Sequence, residues 1–170
     1  YQIACSTVEP SPSPPGWQAN NDLVEISLSL FGSIIRKQSL VEANAGGQYG
    51  WWGTHFAWRP DGQGLAFARP DGVGLIDPGK PQLTVSYEVV PYQASGDWAW
   101  VPGLAWGQDN RTIFTVSHGA PVGLEAPSAS PVFNVVALVS EGSRAYPLAE
   151  RTGMFAAPSV SPLIELADEE

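Results

Sequence analysis

Apolar and polar residues alternate with period two in one short segment after another. Residues 23–30 (LVEISLSL) place apolar side chains at every second position, the mark of a half-buried strand. Residues 31–33 (FGS) predict a turn and residues 34–41 a returning strand. The same hairpin pattern returns at 73–77, turning at 78–81 (PGKP) into 83–90, and at 132–139, turning at 141–143 (EGS) into 144–149. Helix-forming composition is confined to the tail, residues 163–170. The pattern predicts an all-β chain.

Between these hairpins lies a repeated motif. Residues 56–72 read FAWRPDGQGLAFARPDG and residues 104–118 read LAWGQDNRTIFTVSH. Setting Trp58 on Trp106, 48 residues on, matches Ala57 to Ala105, Asp61 to Asp109, Gly62 to Asn110, Leu65 to Ile113 and Ala68 to Val116. A third copy begins at 157–162 (APSVSP), with Val160 in the Trp place 54 residues after Trp106, the extra length fitting the loop at 120–131. A period of about 40–50 residues made only of strand-sized pieces is the signature of a propeller blade. The turn chemistry supports it. Pro60 presets φ, Asp61 bonds back to the backbone, and Gly62 or Asn110 takes the left-handed conformation. Arg69-Pro70-Asp71-Gly72 predicts the next hairpin turn. Trp58 and Trp106 are expected to fill the space between adjacent sheets.

Composition narrows the function classes. The chain has 170 residues, 44% of them apolar and 15% charged, enough for one domain with a real core. Gly 18 and Pro 16 suit many short strands joined by turns. Net charge is −9, with only 8 Lys and Arg spread along the chain, which excludes a nucleic-acid binder and disfavours charge-driven attachment to anionic lipid. No apolar run reaches the ~18 residues that span a bilayer. One cysteine, Cys5, excludes an internal disulfide and a CxxC metal or haem site. The expectation is no metal and no cofactor.

Residues 1–16 (YQIACSTVEPSPSPPG) differ from the rest. Their Ser/Pro-rich part predicts a stiff solvated tether, ahead of blades at 17–162 and an acidic tail at 163–170. The Ile3-Ala4-Cys5 step followed by such a tether resembles the processing site of a bacterial lipoprotein. That resemblance implies lipidation at Cys5 and an extracytoplasmic place, in the periplasm or at the cell surface. Gln2 stands where that motif prefers Leu.

The repeated motif itself resembles that of TolB-like (WD40-like) β-propellers, whose blades carry Trp-Ser-Pro-Asp-Gly followed by a strand such as Ile-Ala-Phe. Here Trp58-Arg59-Pro60-Asp61-Gly62 and Leu65-Ala66-Phe67 carry it best. The copy at Trp106 lacks the Ser, Pro and Gly, and the third keeps only Ser161-Pro162. The resemblance covers residues 23–162. It implies a partial ring of about three four-stranded antiparallel blades, with ligands taken by loops at the central channel.

Two such loops are aromatic. Residues 48–55 (QYGWWGTH) hold Tyr49, Trp51, Trp52 and His55, and residues 95–102 (SGDWAWVP) hold Asp97, Trp98 and Trp100; Phe155 follows at the third copy. These residues form the candidate rim for a protein or glycan partner, since aromatic faces stack on sugars and anchor interfaces. Trp52, Trp100 and Met154 recur six residues before each motif position, which fits a packing role as well. Catalytic patterns are poor. Ser117 and His118 are strand neighbours on opposite faces, and there is no GxSxG, HExxH or phosphate loop. His55 with Asp97 is the one pair near the channel. The sequence therefore favours a non-catalytic cell-envelope scaffold. The alternatives are an accessory subunit of a membrane-associated complex, with other chains completing the ring, or the propeller part of a prolyl oligopeptidase-like hydrolase.

Overall fold

The structure is a computed structural model that describes residues 1–6, 23–41, 54–77, 80–89, 93–95, 98–118, 132–139, 144–153 and 156–162. The described residues are all-β, and the helix-forming tail lies outside them.

The N-terminal sheet holds β1 (Gln2–Ser6), β2 (Leu23–Leu28) and β3 (Ile34–Val41), in that order and antiparallel. The central sheet is a four-stranded meander of β4 (His55–Trp58), β5 (Leu65–Arg69), β6 (Gly72–Asp77) and β7 (Lys80–Glu88). A short hairpin, β8 (Gln93–Ser95) with β9 (Trp98–Ala99), leads on. The C-terminal sheet repeats the meander with β10 (Leu104–Trp106), β11 (Thr112–His118), β12 (Phe133–Val139) and β13 (Ala145–Thr152). The first two motifs, each with the hairpin after it, thus make one sheet apiece, as the repeat predicts, whereas residues 156–162, the expected start of a third copy, form no strand.

The two meanders share their turn geometry. Gly62 has φ 72° and Asn110 has φ 57°, the left-handed conformation expected of both. Asp61 accepts the Gln63 N–H at 2.8 Å, and Asp109 accepts the Arg111 and Thr112 N–H groups at 3.0 and 2.9 Å. Neighbouring turns also touch, because the Asp61 N–H donates to Asn110 Oδ1 at 3.0 Å.

The three sheets pack face to face. Leu65 and Phe67 of β5, with Ile76, meet Leu23 and Leu40 of the N-terminal sheet, and Phe56 and Trp58 pack beside them. The alternate residues Ala66 and Ala68 point the other way, into a core with Trp106, Ile113, Val116, Val136 and Leu138 of the C-terminal sheet. Strand β5 is therefore buried on both faces. Burying a large apolar side chain stabilises by about 1.5–3 kcal/mol, so this double burial makes β5 the centre of the fold. Trp106 wedges between sheets as expected, and its indole N–H donates to the Ala57 carbonyl at 2.8 Å. That bond sets the edge strand β10 beside the edge strand β4.

The tether expectation needs correction at its start. Gln2–Ser6 is not solvated linker but strand β1, paired with Leu23–Ser27, with Cys5 opposite Val24 and partly buried. The alternation Gln2, Ala4, Ser6 against Ile3, Cys5 lets this segment pair with β2 despite its proximity to the Pro-rich run. Residues 7–22 lie outside the described residues.

Candidate binding surfaces

Strands β4 and β10 follow the two Trp-rich loops, so their adjacency decides whether those loops share one place. His55, exposed at the start of β4, has Nδ1 2.8 Å from the Pro102 carbonyl, just before β10. With the proton on Nδ1 the ring donates to that oxygen. The ends of both loops therefore meet at one edge of the assembly. Tyr49, Trp51, Trp52, Asp97 and Phe155 lie outside the described residues, as does the side chain of Trp98, whose backbone pairs with Ser95.

Trp100 corrects part of the rim expectation. It is 1% exposed, with its ring 4.9 Å from Phe133 and 5.1 Å from His118, both in edge-to-face contact. A ring so enclosed offers no face to a ligand, and Trp100 is a packing residue. The sequence signal was present in its recurrence at the Trp52 place, which a core position produces as readily as a binding one.

The local environment also separates Ser117 from His118. The Ser117 hydroxyl and the Tyr87 hydroxyl share a hydrogen bond of 3.0 Å across the sheet interface, while His118 joins the Trp100–Phe133 cluster. Serine and histidine face different neighbours, and the arrangement lacks the nucleophile–base contact of a hydrolase. Among the described residues no group of three His, Cys, Asp or Glu converges as a metal site.

A second surface was not visible in the sequence. A groove of about 420 Å³ opens between the N-terminal sheet and the β4–β5 turn, lined by Gln2, Glu25, Arg36, Gln38, Gln63 and Asp77. Its floor is Glu25, which is 5% exposed and accepts hydrogen bonds on Oε1 from Gln2 Nε2 at 3.0 Å and Ser27 Oγ at 3.2 Å. Arg36 donates to Gln38 Oε1. Glu25 and Ser27 share the face of β2 with Leu23, which packs on the central sheet. The sheet interface is thus apolar at the Leu23 end and polar at the Gln2 end. On the opposite face of β2 Val24 is buried as well, and Ile26 and Leu28 are half-buried. Amides that donate and accept, two carboxylates and one guanidinium suit hydrogen bonding to a small polar ligand; they supply no nucleophile.

Buried charge appears once more at the β5–β6 turn. Arg69 is 4% exposed, lies 3.1 Å from Asp71 and sits 5.3 Å over the Phe67 ring. Burial lowers its pKa and the Asp71 carboxylate opposes that shift. This is the turn read from Arg69-Pro70-Asp71-Gly72, with the ion pair holding its two ends.

No family model and no curated protein matches this chain.

Proposed function

We propose that this chain builds blades of a β-propeller that acts as a non-catalytic scaffold, binding protein or glycan through the two Trp-rich loops before β4 and β10. The observation that carries the reading is the His55–Pro102 contact, which brings the ends of both loops together at adjacent edge strands. The propeller reading draws support from two register-matched meanders packed face to face with a third sheet, with equivalent turns in contact. The envelope placement rests on the resemblance of Ile3-Ala4-Cys5 and the Ser/Pro-rich tether to a lipoprotein processing site. Lipidation at Cys5 fits less well, since cleavage before it would remove Gln2, Ile3 and Ala4 from strand β1.

The test is titration with soluble oligosaccharides and proline-rich peptides, followed by calorimetry and tryptophan fluorescence. Saturable binding should vanish in Trp51→Ala/Trp98→Ala with no change in melting temperature. Binding that survives this double variant, or follows Glu25→Gln in the groove instead, would move the site away from the loops.

A further inference from the structure

The same outer hairpin occurs three times, and its tips differ. Between β6 and β7 the tip is Pro78-Gly79, and between β12 and β13 it holds Glu141-Gly142-Ser143, small or polar in both cases. Between β2 and β3 it reads Leu30-Phe31-Gly32-Ser33, continuing into Ile34-Ile35. The fold does not bury these side chains. Phe31 is 96% exposed, Leu30 86%, Ile35 69% and Ile34 66%. The turn is nevertheless well formed. The Phe31 and Ser33 N–H groups donate to Ser29 Oγ at 3.2 and 3.1 Å, and Gly32 takes φ 79°. A hydrogen-bonded turn that holds large apolar groups in water, where the sequences of its two counterparts carry none, is not required by packing.

We propose that this hairpin tip inserts into the interfacial layer of a phospholipid bilayer. The shape is a narrow point rather than a broad flat face, so it suits shallow penetration between lipid headgroups more than a protein interface of standard size. Exposed Lys37 follows the tip, on the face opposite Arg36, which lines the groove with Glu25 and Asp77; Lys37 is the basic residue left to meet lipid phosphates as Leu30 and Phe31 enter. Residues 26–41 contain no Asp or Glu in a chain that has 17. Tyr1 lies beside the tip through paired backbone bonds with Leu28, at 3.1 and 2.7 Å, and is 81% exposed, adding an aromatic ring of the kind enriched at membrane interfaces. Apolar insertion is the main contribution, and Lys37 adds a smaller one.

The experiment is flotation of the chain, produced without lipid modification, with phosphatidylcholine vesicles, with and without phosphatidylglycerol, at physiological salt. The wild type should float with both. Leu30→Ser/Phe31→Ser should weaken binding at least about tenfold on both while melting unchanged. Lys37→Gln should weaken it by up to about fivefold on the anionic vesicles alone. A Phe31→Trp variant should show quenching by brominated lipid beyond that of the wild type. Failure to float, binding that ignores Leu30→Ser/Phe31→Ser, or no added quenching in Phe31→Trp would overturn the proposal. So would sedimentation showing a dimer that the double variant abolishes, which would assign the tip to a second copy. None of these results depends on the Trp-rich loops, so this proposal and the scaffold reading fail separately.

Discussion

In the central sheet the Phe67 ring lies over its cross-strand partner Gly74; in the C-terminal sheet the same two places hold Thr115 and Val136. On the opposite faces Ala66 pairs with Leu75, while Phe114 pairs with Ala137. Large and small residues have changed sides within each pair. Between them Leu65–Ile76 and Ile113–Leu138 keep two large residues in both sheets. This repeat keeps volume across a strand pair and geometry at the turn, not the residue at each position. A close-packed interface constrains the sum of volumes and leaves its division open.

The sharpest way to break the comparison is at the pair where the division is most extreme. Phe67→Ala should cost about 3–5 kcal/mol by urea denaturation, because the ring is fully buried and fills the space over Gly74. Gly74→Ala should cost about 1–3 kcal/mol or more, since a Cβ there would meet both the Phe67 ring and the Thr84 carbonyl. Combining Gly74→Ala with Phe67→Leu should recover only part of that loss, as the carbonyl stays in place. Full recovery would show that the ring alone demands the glycine.

Next in size is the bond between sheets. Trp106→Phe keeps an aromatic wedge but removes the N–H that reaches the Ala57 carbonyl, and should cost about 1–2 kcal/mol in the same assay. The turns give smaller effects that differ between copies. Gly62→Ala should cost about 1 kcal/mol, because its φ of 72° disfavours a Cβ. Asn110→Gly keeps the backbone conformation but loses the side-chain oxygen that receives the Asp61 N–H, so it should be near neutral or mildly destabilising.

The smallest expected effect is on pH dependence. Asp61 is held below the ordinary carboxylate value by Arg59, aided by the Gln63 N–H, and Asp109 by the Thr112 hydroxyl, then the Thr112 and Arg111 N–H groups. Both folded pKa values are depressed, so the contribution is fully present above about pH 4 and is lost as pH falls through the folded values. Melting temperature should therefore fall on acidification, and less steeply in Asp61→Asn/Asp109→Asn. An unchanged acid slope in that variant would show that these turns do not sense protonation.

Much of the fold was readable because its signals are local. The period-two alternation and the Pro60-Asp61-Gly62 turn each report on neighbours a few residues apart, and Asn110 betrayed its left-handed conformation by residue type. What was missed depends on distant partners. Glu25 sits on the polar side of an alternating strand, yet the opposing turn at Gly62-Gln63 and the neighbouring Gln2 enclose it. Strand β1 was hidden because a five-residue segment beside a Pro-rich run gives little pattern until β2 pairs with it. At Trp100 the recurrence identified a special position without saying whether its ring faces core or solvent. Leu30 read as the end of a strand and Phe31 as the start of an ordinary turn; their exposure, set beside the small or polar sequences of the two equivalent tips, marks them out.

Stacking of the repeats with β10 beside β4 brings the ends of the two Trp-rich loops, at His55 and Pro102, together. The most direct measurement is the proton NMR signature of the Trp106 indole N–H, assigned through Trp106→Phe. It should exchange slowly with solvent and show nuclear Overhauser contacts to Ala57 and Trp58. A rapidly exchanging indole proton without contacts to β4 would contradict the stacking, and with it the proposed binding edge.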